Sequence, residues 1–250
     1  MLVMGARGAT GYVMAQGRPA AGGLPVAGAA LWFDASQITG LADGDSVTTW
    51  SDMSGNTRHA TQSGAGTLKP TYKTNIIGGK PILRFVAASS QRLDIDGTMA
   101  IGASTTFVVF RTAATVPNFQ SAINFYQSGS VRWSFGANAI ESNRNGWAGT
   151  NASTALTQPS GAFSTDSAYV QTWKKTSTQW TIYRNGTAGT AINDSSSATA
   201  AASGVGYERG FNSYYFNGDI AEIIVYSSAL SDANRQAVEA YLSAKYGIAL

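Results

Sequence analysis

The chain has 250 residues, of which 44% are hydrophobic and only 12% are charged, and it has a net charge of +3 and no cysteine. This length is compatible with one large β-sandwich domain, and the charge is too small to indicate a nucleic acid or an anionic membrane as partner. The lack of cysteine excludes a disulfide framework and a thiolate metal site, and the few charges mean a surface of Ser, Thr, Asn, Gln and Gly, which suits hydroxyl-rich carbohydrate partners.

The first thirty residues differ from the rest of the chain. They are rich in Gly and Ala and contain no acidic residue before Asp34. Their composition favours a disordered tail. The alternative is an extended arm over residues 1–29 that becomes ordered on a partner's surface, with Arg7, Tyr12 and Arg18 as its anchoring residues. Glycines interrupt every apolar stretch, so the segment does not look like a signal peptide.

From Ala30 onward the sequence predicts short strands. "ALWFDAS" and "KPILRFVAA" are apolar strands, and "TTFVVFRTA" is nearly all β-branched or aromatic, as in a strand that is buried on both faces. "SAINFYQSG" and "VRWSFGAN" are separated by Ser-Gly-Ser, which indicates a hairpin.

A second hairpin is predicted near residue 185. Asn185 and Gly186 favour a type I′ turn, because both positions need a positive φ. The alternation in the preceding strands puts Gln171 and Trp173 on one face of the first strand and Trp180 on one face of the second.

One helix is predicted, over residues 232–246. Ser231 is a favourable N-cap, and Gly247 is placed for a left-handed C-cap. Val238 and Leu242 lie on an apolar face that ends with the stem of Lys245.

The pattern as a whole predicts an all-β antiparallel sandwich of about a dozen strands with this C-terminal helix packed on it. The Ser- and Ala-rich stretch "NDSSSATAAASG", residues 193–204, predicts a loop. The predicted division of the chain is an arm over residues 1–29 and a sandwich over residues 30–250.

Several of these stretches resemble a known family. "ALWFDAS", "VTTWSDMSGNTRHATQ", "GGKPILRF" and the closing "FNGDIAEIIVYSSALSDANRQAVEAYLSAKYGI" are together similar to concanavalin A-like, laminin-G-type domains, in the branch found in bacterial surface and phage structural proteins. The resemblance covers about residues 30–250. It implies a jelly-roll sandwich with a binding or adhesion role, and it fixes no ligand, because this fold carries many functions.

The stretch "TWSDMSGNTRHATQ" contains the single histidine of the chain. Its composition favours a turn in which short polar side chains accept from nearby backbone N–H groups. The alternative is a weak calcium site with Asp52, Ser54 and Asn56 as ligands, although no bidentate Glu follows at the expected distance. His59 has no second histidine or cysteine to complete a zinc site.

A glycosidase motif is only partly matched. Some sandwiches of this family cleave β-glucans with Glu-x-Asp-x-x-Glu, and the resemblance aligns that motif with Asn217, Asp219 and Glu222. An amide in the nucleophile position cannot form a glycosyl-enzyme intermediate. Strict alternation also places Asp219 and Glu222 on opposite faces, unless a bulge intervenes. The sequence therefore predicts no catalytic residue and a protein that is not an enzyme.

Two segments combine aromatic, amide and basic side chains, as sugar-binding surfaces do. The first is "ESNRNGWAGTNAS" and the second is "GYERGFNSYYFNG". The candidate ligand-binding residues are Arg144, Asn145, Trp147, Tyr207, Arg209 and Tyr214. The same side chains would also suit a protein interface, and core packing is the alternative for the aromatic residues of the second segment.

Two functions from different classes follow. The first is a phage virion protein, a capsid decoration or fibre-like component that is anchored through residues 1–29 to a major capsid or other virion protein and displays a surface for host glycans. The alternative is a carbohydrate-binding module or adhesin of a bacterial surface or secreted protein, and a glycoside hydrolase is the third. No cofactor is expected apart from the calcium alternative, and homo-oligomerisation stays open.

Overall fold

The computed structural model describes residues 23–114, 120–128, 131–136, 144–148, 154–157 and 163–250. In these residues the chain forms seventeen strands and one α-helix. The elements are β1 Leu31–Asp34, β2 Thr49–Trp50, β3 Ala60–Thr61, β4 Thr71–Ile77, β5 Lys80–Phe85, β6 Leu93–Ala100, β7 Ser104–Thr112, β8 Ile123–Ser128, β9 Val131–Phe135, β10 Arg144–Ala148, β11 Thr154–Thr157, β12 Ala168–Lys175, β13 Gln179–Arg184, β14 Thr187–Ala188, β15 Ile192–Asn193, β16 Thr199–Val205, β17 Gly218–Tyr226 and α1 Asp232–Tyr246. Short 3₁₀ turns occupy Ala35–Gln37, Gly66–Leu68 and Ala87–Ser89.

The strands form two antiparallel sheets. The nine-stranded sheet has the order β14-β13-β12-β7-β17-β5-β4, with β1 paired to β17 and β15 paired to β13. The eight-stranded sheet has the order β11-β10-β9-β8-β16-β6-β3-β2. The two sheets pack face to face as a sandwich, as the sequence predicted.

Aromatic pairs join the two sheets across the interior. Phe33 of the nine-stranded sheet stacks on Trp50 of the eight-stranded sheet, with ring centroids 5.2 Å apart. Phe135 and Trp173 form a second such pair, with centroids 4.9 Å apart and planes at 13°. Offset aromatic contacts of this kind add about 0.5–1.5 kcal/mol each beyond the area that they bury. Trp173 is fully buried in this core.

The predicted turn at Asn185 and Gly186 is also confirmed. The two residues have φ values of 48° and 76° and join β13 to β14, with Arg184 opposite Thr187. Positive φ at both turn positions is the signature of a type I′ hairpin.

Helix α1 covers the outer face of the nine-stranded sheet. Ser231 caps its first turn by accepting from the Asn234 backbone N–H, and Gly247 ends it in a left-handed conformation with a φ of 66°. Val238 and Leu242 are buried in a second apolar core, which includes the outward-facing side chains of the central strands. The predicted helix bounds are therefore confirmed.

The predicted loop over residues 193–204 is confirmed for residues 194–198 and wrong for residues 199–204. Residues 199–205 form β16, which lies between β6 and β8 in the middle of the eight-stranded sheet. Small Ala, Ser and Gly residues carry little β propensity of their own. The strand is held by its two neighbours and by the ladder hydrogen bonds that it makes with each.

The end of the predicted arm contacts the sandwich. Leu24 and Val26 pack against the second core, and the Tyr226 hydroxyl donates to the Val26 carbonyl at 2.7 Å. The rest of the arm, with Arg7, Tyr12 and Arg18, lies outside the described residues. Across the part of the chain that the structure describes, no helix is both long enough and apolar enough to span a membrane.

Candidate functional site: an aromatic loop on the eight-stranded sheet

Residues 206–217, here called the aromatic loop, connect β16 to β17 and therefore pass from one sheet to the other. Asp94 and Asp96 on β6 alternate with the core residues Leu93 and Ile95, so their side chains lie on the outer face of the eight-stranded sheet. Both of these carboxylates bind side chains of the aromatic loop, as described below. The loop thus lies over the outer face of this sheet.

Tyr207 holds the aromatic loop on the outer face of the eight-stranded sheet. It is buried, its ring stacks on Tyr215 with centroids 6.0 Å apart, and the Arg92 guanidinium carbon is 5.6 Å from its ring centroid. Its hydroxyl donates to Asp94. Burial, reinforced by this carboxylate, raises the pKa of Tyr207 far above its ordinary value. The structure therefore places Tyr207 underneath the surface, in a position that supports the loop.

Arg209 fastens the loop to the sheet. Its guanidinium donates to the backbone carbonyls of Ile95 and Ser203, at 2.8 and 3.1 Å, and to the Asp96 carboxylate at 2.7 Å. Its backbone N–H also donates to the buried side-chain oxygen of Asn124. These four hydrogen-bond partners fix the conformation of the loop, while the Asp96 side chain stays exposed.

The outer part of the loop exposes aromatic rings. Phe211 is 51% exposed and Tyr214 is 42% exposed, and among the described residues only Val86 and Leu250 are other large hydrophobic side chains with comparable exposure. Tyr214 has a φ of 54°, which is unusual for a bulky residue. Backbone strain of this kind persists where the surroundings enforce it and clusters at binding sites. The loop thus presents two exposed rings.

The other predicted segment belongs to the same sheet. Arg144, Asn145 and Trp147 fall on β10, where Trp147 stands opposite Ser134 of β9 in the ladder. Their side chains lie outside the described residues. The backbone topology nevertheless brings both predicted ligand-binding segments to the eight-stranded sheet, a relation that the sequence alone did not show.

The loop that includes Asp52 closes on the chain that enters β1. Both carboxylate oxygens of Asp52 are occupied: one accepts from the backbone N–H groups of Trp32 and Ser54, and the other from the Ser54 hydroxyl and the Arg58 N–H. The Asn56 amide donates to the carbonyls of Ala29 and Ala30, just before β1. These contacts make a turn that holds the start of the sandwich.

His59 belongs to this same turn. Its Nδ1 accepts from the Asp52 backbone N–H at 3.0 Å, so the neutral ring carries its proton on Nε2. Among the described residues no group of three or more His, Asp and Glu side chains is placed to hold a metal ion. The carboxylate of Asp52 and the hydroxyl of Ser54 are engaged in hydrogen bonds within the turn, and the Asn56 amide nitrogen binds backbone carbonyls.

The two acidic residues of the partial glycosidase motif lie on the same face, contrary to strict alternation. A bulge between Ile220 and Glu222 shifts the register of β17 against β7. At this point the neighbour of β17 also changes from β5 to β1. The bulge turns Asp219 and Glu222 both to the outer face of the nine-stranded sheet.

Each of these carboxylates is held by cations. Asp219 accepts from the guanidinium groups of Arg84 and Arg111, at 2.7 and 2.6 Å. Glu222 accepts from Lys245 at 2.6 Å and from the Tyr246 hydroxyl at 2.9 Å.

The Glu222 cluster lies under helix α1. Lys245 also donates to Asp34 at 2.6 Å, and the Trp32 indole N–H donates to Glu222 at 2.8 Å. Burial, and then the charge of Asp34, raises the pKa of Glu222 above its ordinary value. Burial alone would lower the pKa of Lys245, but the charges of Glu222 and Asp34 outweigh it and raise that pKa. The cluster is thus an ion network that ties the helix to the sheet.

These features define the class of the protein: an antiparallel β-sandwich domain with an exposed aromatic loop on one sheet and a helix on the other. No protein-family model matches the chain, and no curated protein matches it by sequence. Solved structures do match it.

Domain 4 of AbnA, an extracellular arabinanase from Geobacillus stearothermophilus solved in complex with arabinotriose, has a TM-score of 0.60 and 13% identity, with 79% of this chain and 98% of that chain covered. A GH54 α-L-arabinofuranosidase has a TM-score of 0.56 and 13% identity, with 80% of this chain and 51% of that chain covered. The receptor-binding domain of botulinum neurotoxin mosaic serotype C/D has a TM-score of 0.57 and 12% identity, with 86% and 51% covered. The match therefore spans about half the length of the last two proteins, and at these identities the likeness shows a shared fold.

Proposed function

We propose that this chain is a carbohydrate-binding module that holds a neutral glycan on its aromatic loop. The observation that carries the proposal is the pair of exposed rings, Phe211 and Tyr214, on a loop that is fastened to a rigid sheet. Sugars bind through the apolar faces of their rings, which pack on aromatic side chains, and through hydrogen bonds from their hydroxyl groups. Asn212, between the two rings in the sequence, carries an amide that can supply such a partner.

The shared fold supports this proposal. AbnA domain 4 matches over 98% of its length and was solved with arabinotriose, so a similar sandwich of nearly the same extent holds an oligosaccharide. The low content of charged residues, 12%, also fits a neutral ligand that is rich in hydroxyl groups.

We further propose that the module has no hydrolytic activity. General acid catalysis on a glycoside needs a carboxyl group that can approach the scissile oxygen. Asp219 and Glu222 are both buried, and each is engaged by two or more donors. Arabinan incubated with the protein should release no reducing sugar. Hydrolysis by the natural chain that disappears in Glu222→Gln would show that the cluster is catalytic.

The test of glycan binding uses titration calorimetry with arabinotriose and with a panel of neutral oligosaccharides. The double variant Phe211→Ala/Tyr214→Ala should lose about tenfold or more in affinity for the ligand that binds, because each ring contact contributes about 0.5–1.5 kcal/mol beyond its area. Leu250→Ala is the matched control, because Leu250 is 53% exposed and lies outside the loop. If the double variant binds as tightly as the natural chain, the glycan is not on this loop.

The virion role that the sequence suggests remains a proposal that rests on the family resemblance and on the N-terminal segment. Since Leu24 and Val26 pack on the sandwich, its test is a deletion of residues 1–22, which leaves those contacts in place. The shortened chain should fold and keep its glycan affinity. Particle association that persists after the deletion would contradict anchoring through this segment.

A further inference from the structure

A cleft on the nine-stranded sheet carries a second set of ligand-binding groups. Its volume is about 310 Å³, and its charged lining residues are Arg84, Arg111, Asp166 and Asp219, with Thr112 and Asn217 as neutral polar neighbours. Ligand pockets in proteins begin at about 300 Å³, so the cleft suits a small ligand. The aromatic loop, by contrast, binds through its side chains to the eight-stranded sheet.

Three adjacent strands place the two guanidinium groups side by side. In the ladder Asp219 of β17 stands opposite Arg84 of β5 on one side and opposite Arg111 of β7 on the other. Asp219 has a side-chain exposure of 3%, whereas those of Arg84 and Arg111 are 37% and 25%. The shared carboxylate is therefore out of reach of a ligand, and the parts of the cluster that solvent reaches are cationic donors.

Both guanidinium groups have N–H donors that do not bind Asp219. Each arginine uses its Nε and Nη2 atoms to bind Asp219. No described residue accepts from the Nη1 atom of either one. Two positive charges share the buried carboxylate of Asp219, and the exposed Asp166 brings the formal charge of these four lining residues to zero. Charged N–H groups in a fixed fork are suited to a carboxylate.

The other lining residues indicate that the ligand carries further groups besides an anionic one. Asp166 is an exposed lining residue. Its ionised carboxylate can only accept hydrogen bonds, so a ligand must offer it a donor such as a hydroxyl group. Val86, which is exposed, and Ala113 form an apolar wall that the carbon face of a ring can contact. A ligand that satisfies all three features has a carboxylate, hydroxyl groups and an apolar ring face.

We propose that this cleft binds the carboxylate of an acidic sugar, with the guanidinium groups of Arg84 and Arg111 on the carboxylate and Asp166 on a hydroxyl. The cleft contains Asn217 at the end of the aromatic loop but neither of the exposed rings Phe211 and Tyr214. Phe211→Ala/Tyr214→Ala should therefore bind acidic sugars as the natural chain does, even if the proposed neutral-glycan site proves wrong.

In the experiment the full chain is titrated separately with D-galacturonate, its methyl ester, galactose and acetate. Binding of each is measured by NMR or calorimetry. Galacturonate should bind at least tenfold more tightly than the other three. Arg84→Gln and Arg111→Gln should each weaken its binding about tenfold or more, because each removes a charged hydrogen-bonding group. Lys80→Gln is the matched control, since it removes one positive charge from the same strand at an exposed position outside the cleft.

Each single arginine variant leaves Asp219 with one guanidinium partner, so the sandwich should keep its fold, which a thermal melt will verify. Arg84→Lys is a second variant that retains the charge beside Asp219 and loses the fork, and it should also bind galacturonate more weakly. Equal affinity for galacturonate and its methyl ester, or unchanged binding in both Gln variants, would overturn the proposal. Acetate that binds as tightly as galacturonate would overturn the assignment to a sugar.

Discussion

Replacing Lys245 with methionine should destabilise the domain strongly. The ammonium group lies 2.6 Å from both Asp34 and Glu222, and its side chain is only 14% exposed. At an effective dielectric constant of about 20, each contact corresponds to a gross attraction of about 6 kcal/mol. Desolvation of the ammonium and the repulsion between the two carboxylates offset much of this. The loss of one partner from a buried ion cluster typically costs about 3–5 kcal/mol, which is the loss that we expect in the free energy of unfolding.

Urea unfolding at pH 7, followed by tryptophan fluorescence, measures this loss. Lys174→Met is the matched control, because Lys174 also bridges a strand to helix α1, through Asp232 at 2.9 Å, but that carboxylate is 70% exposed. A surface pair of this kind contributes at most about 1 kcal/mol. A loss in Lys245→Met no larger than the loss in Lys174→Met would refute the idea that the cluster holds the helix to the sheet.

The same variant should respond to pH with a defined sign. Without the ammonium, Glu222 keeps its buried site and the neighbouring Asp34 charge but loses its cation, so its pKa in the folded state stays raised above that in the unfolded chain. A raised pKa in the folded state means that stability is fully present below the unfolded value and is lost as the pH rises. Lys245→Met should therefore regain part of its lost stability as the pH is lowered from 7 to about 5. A loss that stays constant over this range would contradict the electrostatic explanation.

Three further predictions concern single features. Tyr246→Phe removes the hydroxyl that donates to Glu222 at 2.9 Å and should cost about 1.5–3 kcal/mol in urea unfolding, whereas a cost near zero would show that the bond contributes nothing. The natural chain should lose stability as the pH rises above about 10.4, because Lys245 has a raised pKa when folded and its contribution disappears as it deprotonates; an unchanged melting temperature up to pH 12 would contradict this. Gly206→Ala should be destabilised by about 1–3 kcal/mol or more in urea unfolding, because the added Cβ would lie 2.3 Å from the buried ring of Phe85; wild-type stability would show that this ring can move aside.

Local sequence signals predicted the elements whose cause is local. The cap residues Ser231 and Gly247 gave the bounds of helix α1, and Asn185 with Gly186 gave the hairpin, because each acts on backbone within a few residues. The absence of alternation in β7 likewise indicated a strand that is covered on both faces, by the sandwich interior and by the helix.

Features with distant causes were missed. Lys245 was predicted to end an apolar helix face, and its actual partner Asp34 lies 211 residues earlier in the chain. The bulge in β17 has no local signature, because it occurs where one neighbouring strand replaces another, and so the sequence offered the common face of Asp219 and Glu222 only as an exception to strict alternation.

For the candidate site, composition identified the aromatic loop but not the roles within it. Tyr207 and Tyr214 look alike in the sequence, yet one is buried against Asp94 and the other is exposed. The difference depends on which of the two side chains contacts the eight-stranded sheet. The arginine pair around Asp219 was not predicted either, because it needs the register of three strands that are far apart in the chain.

Glycines stand at both boundaries of the aromatic loop: Gly206 is its first residue, and Gly218 is the first residue of β17. Neither position admits a side chain. A Cβ at Gly206 would strike Phe85, and a Cβ at Gly218 would come within 2.3 Å of the Arg111 carbonyl oxygen. These two residues therefore act as fixed boundaries of a replaceable segment. Of the eleven positions between them, 207–217, the eight other than Tyr207, Arg209 and Phe216 can be randomised as a library to redirect recognition, because those three residues hold the loop on the sandwich.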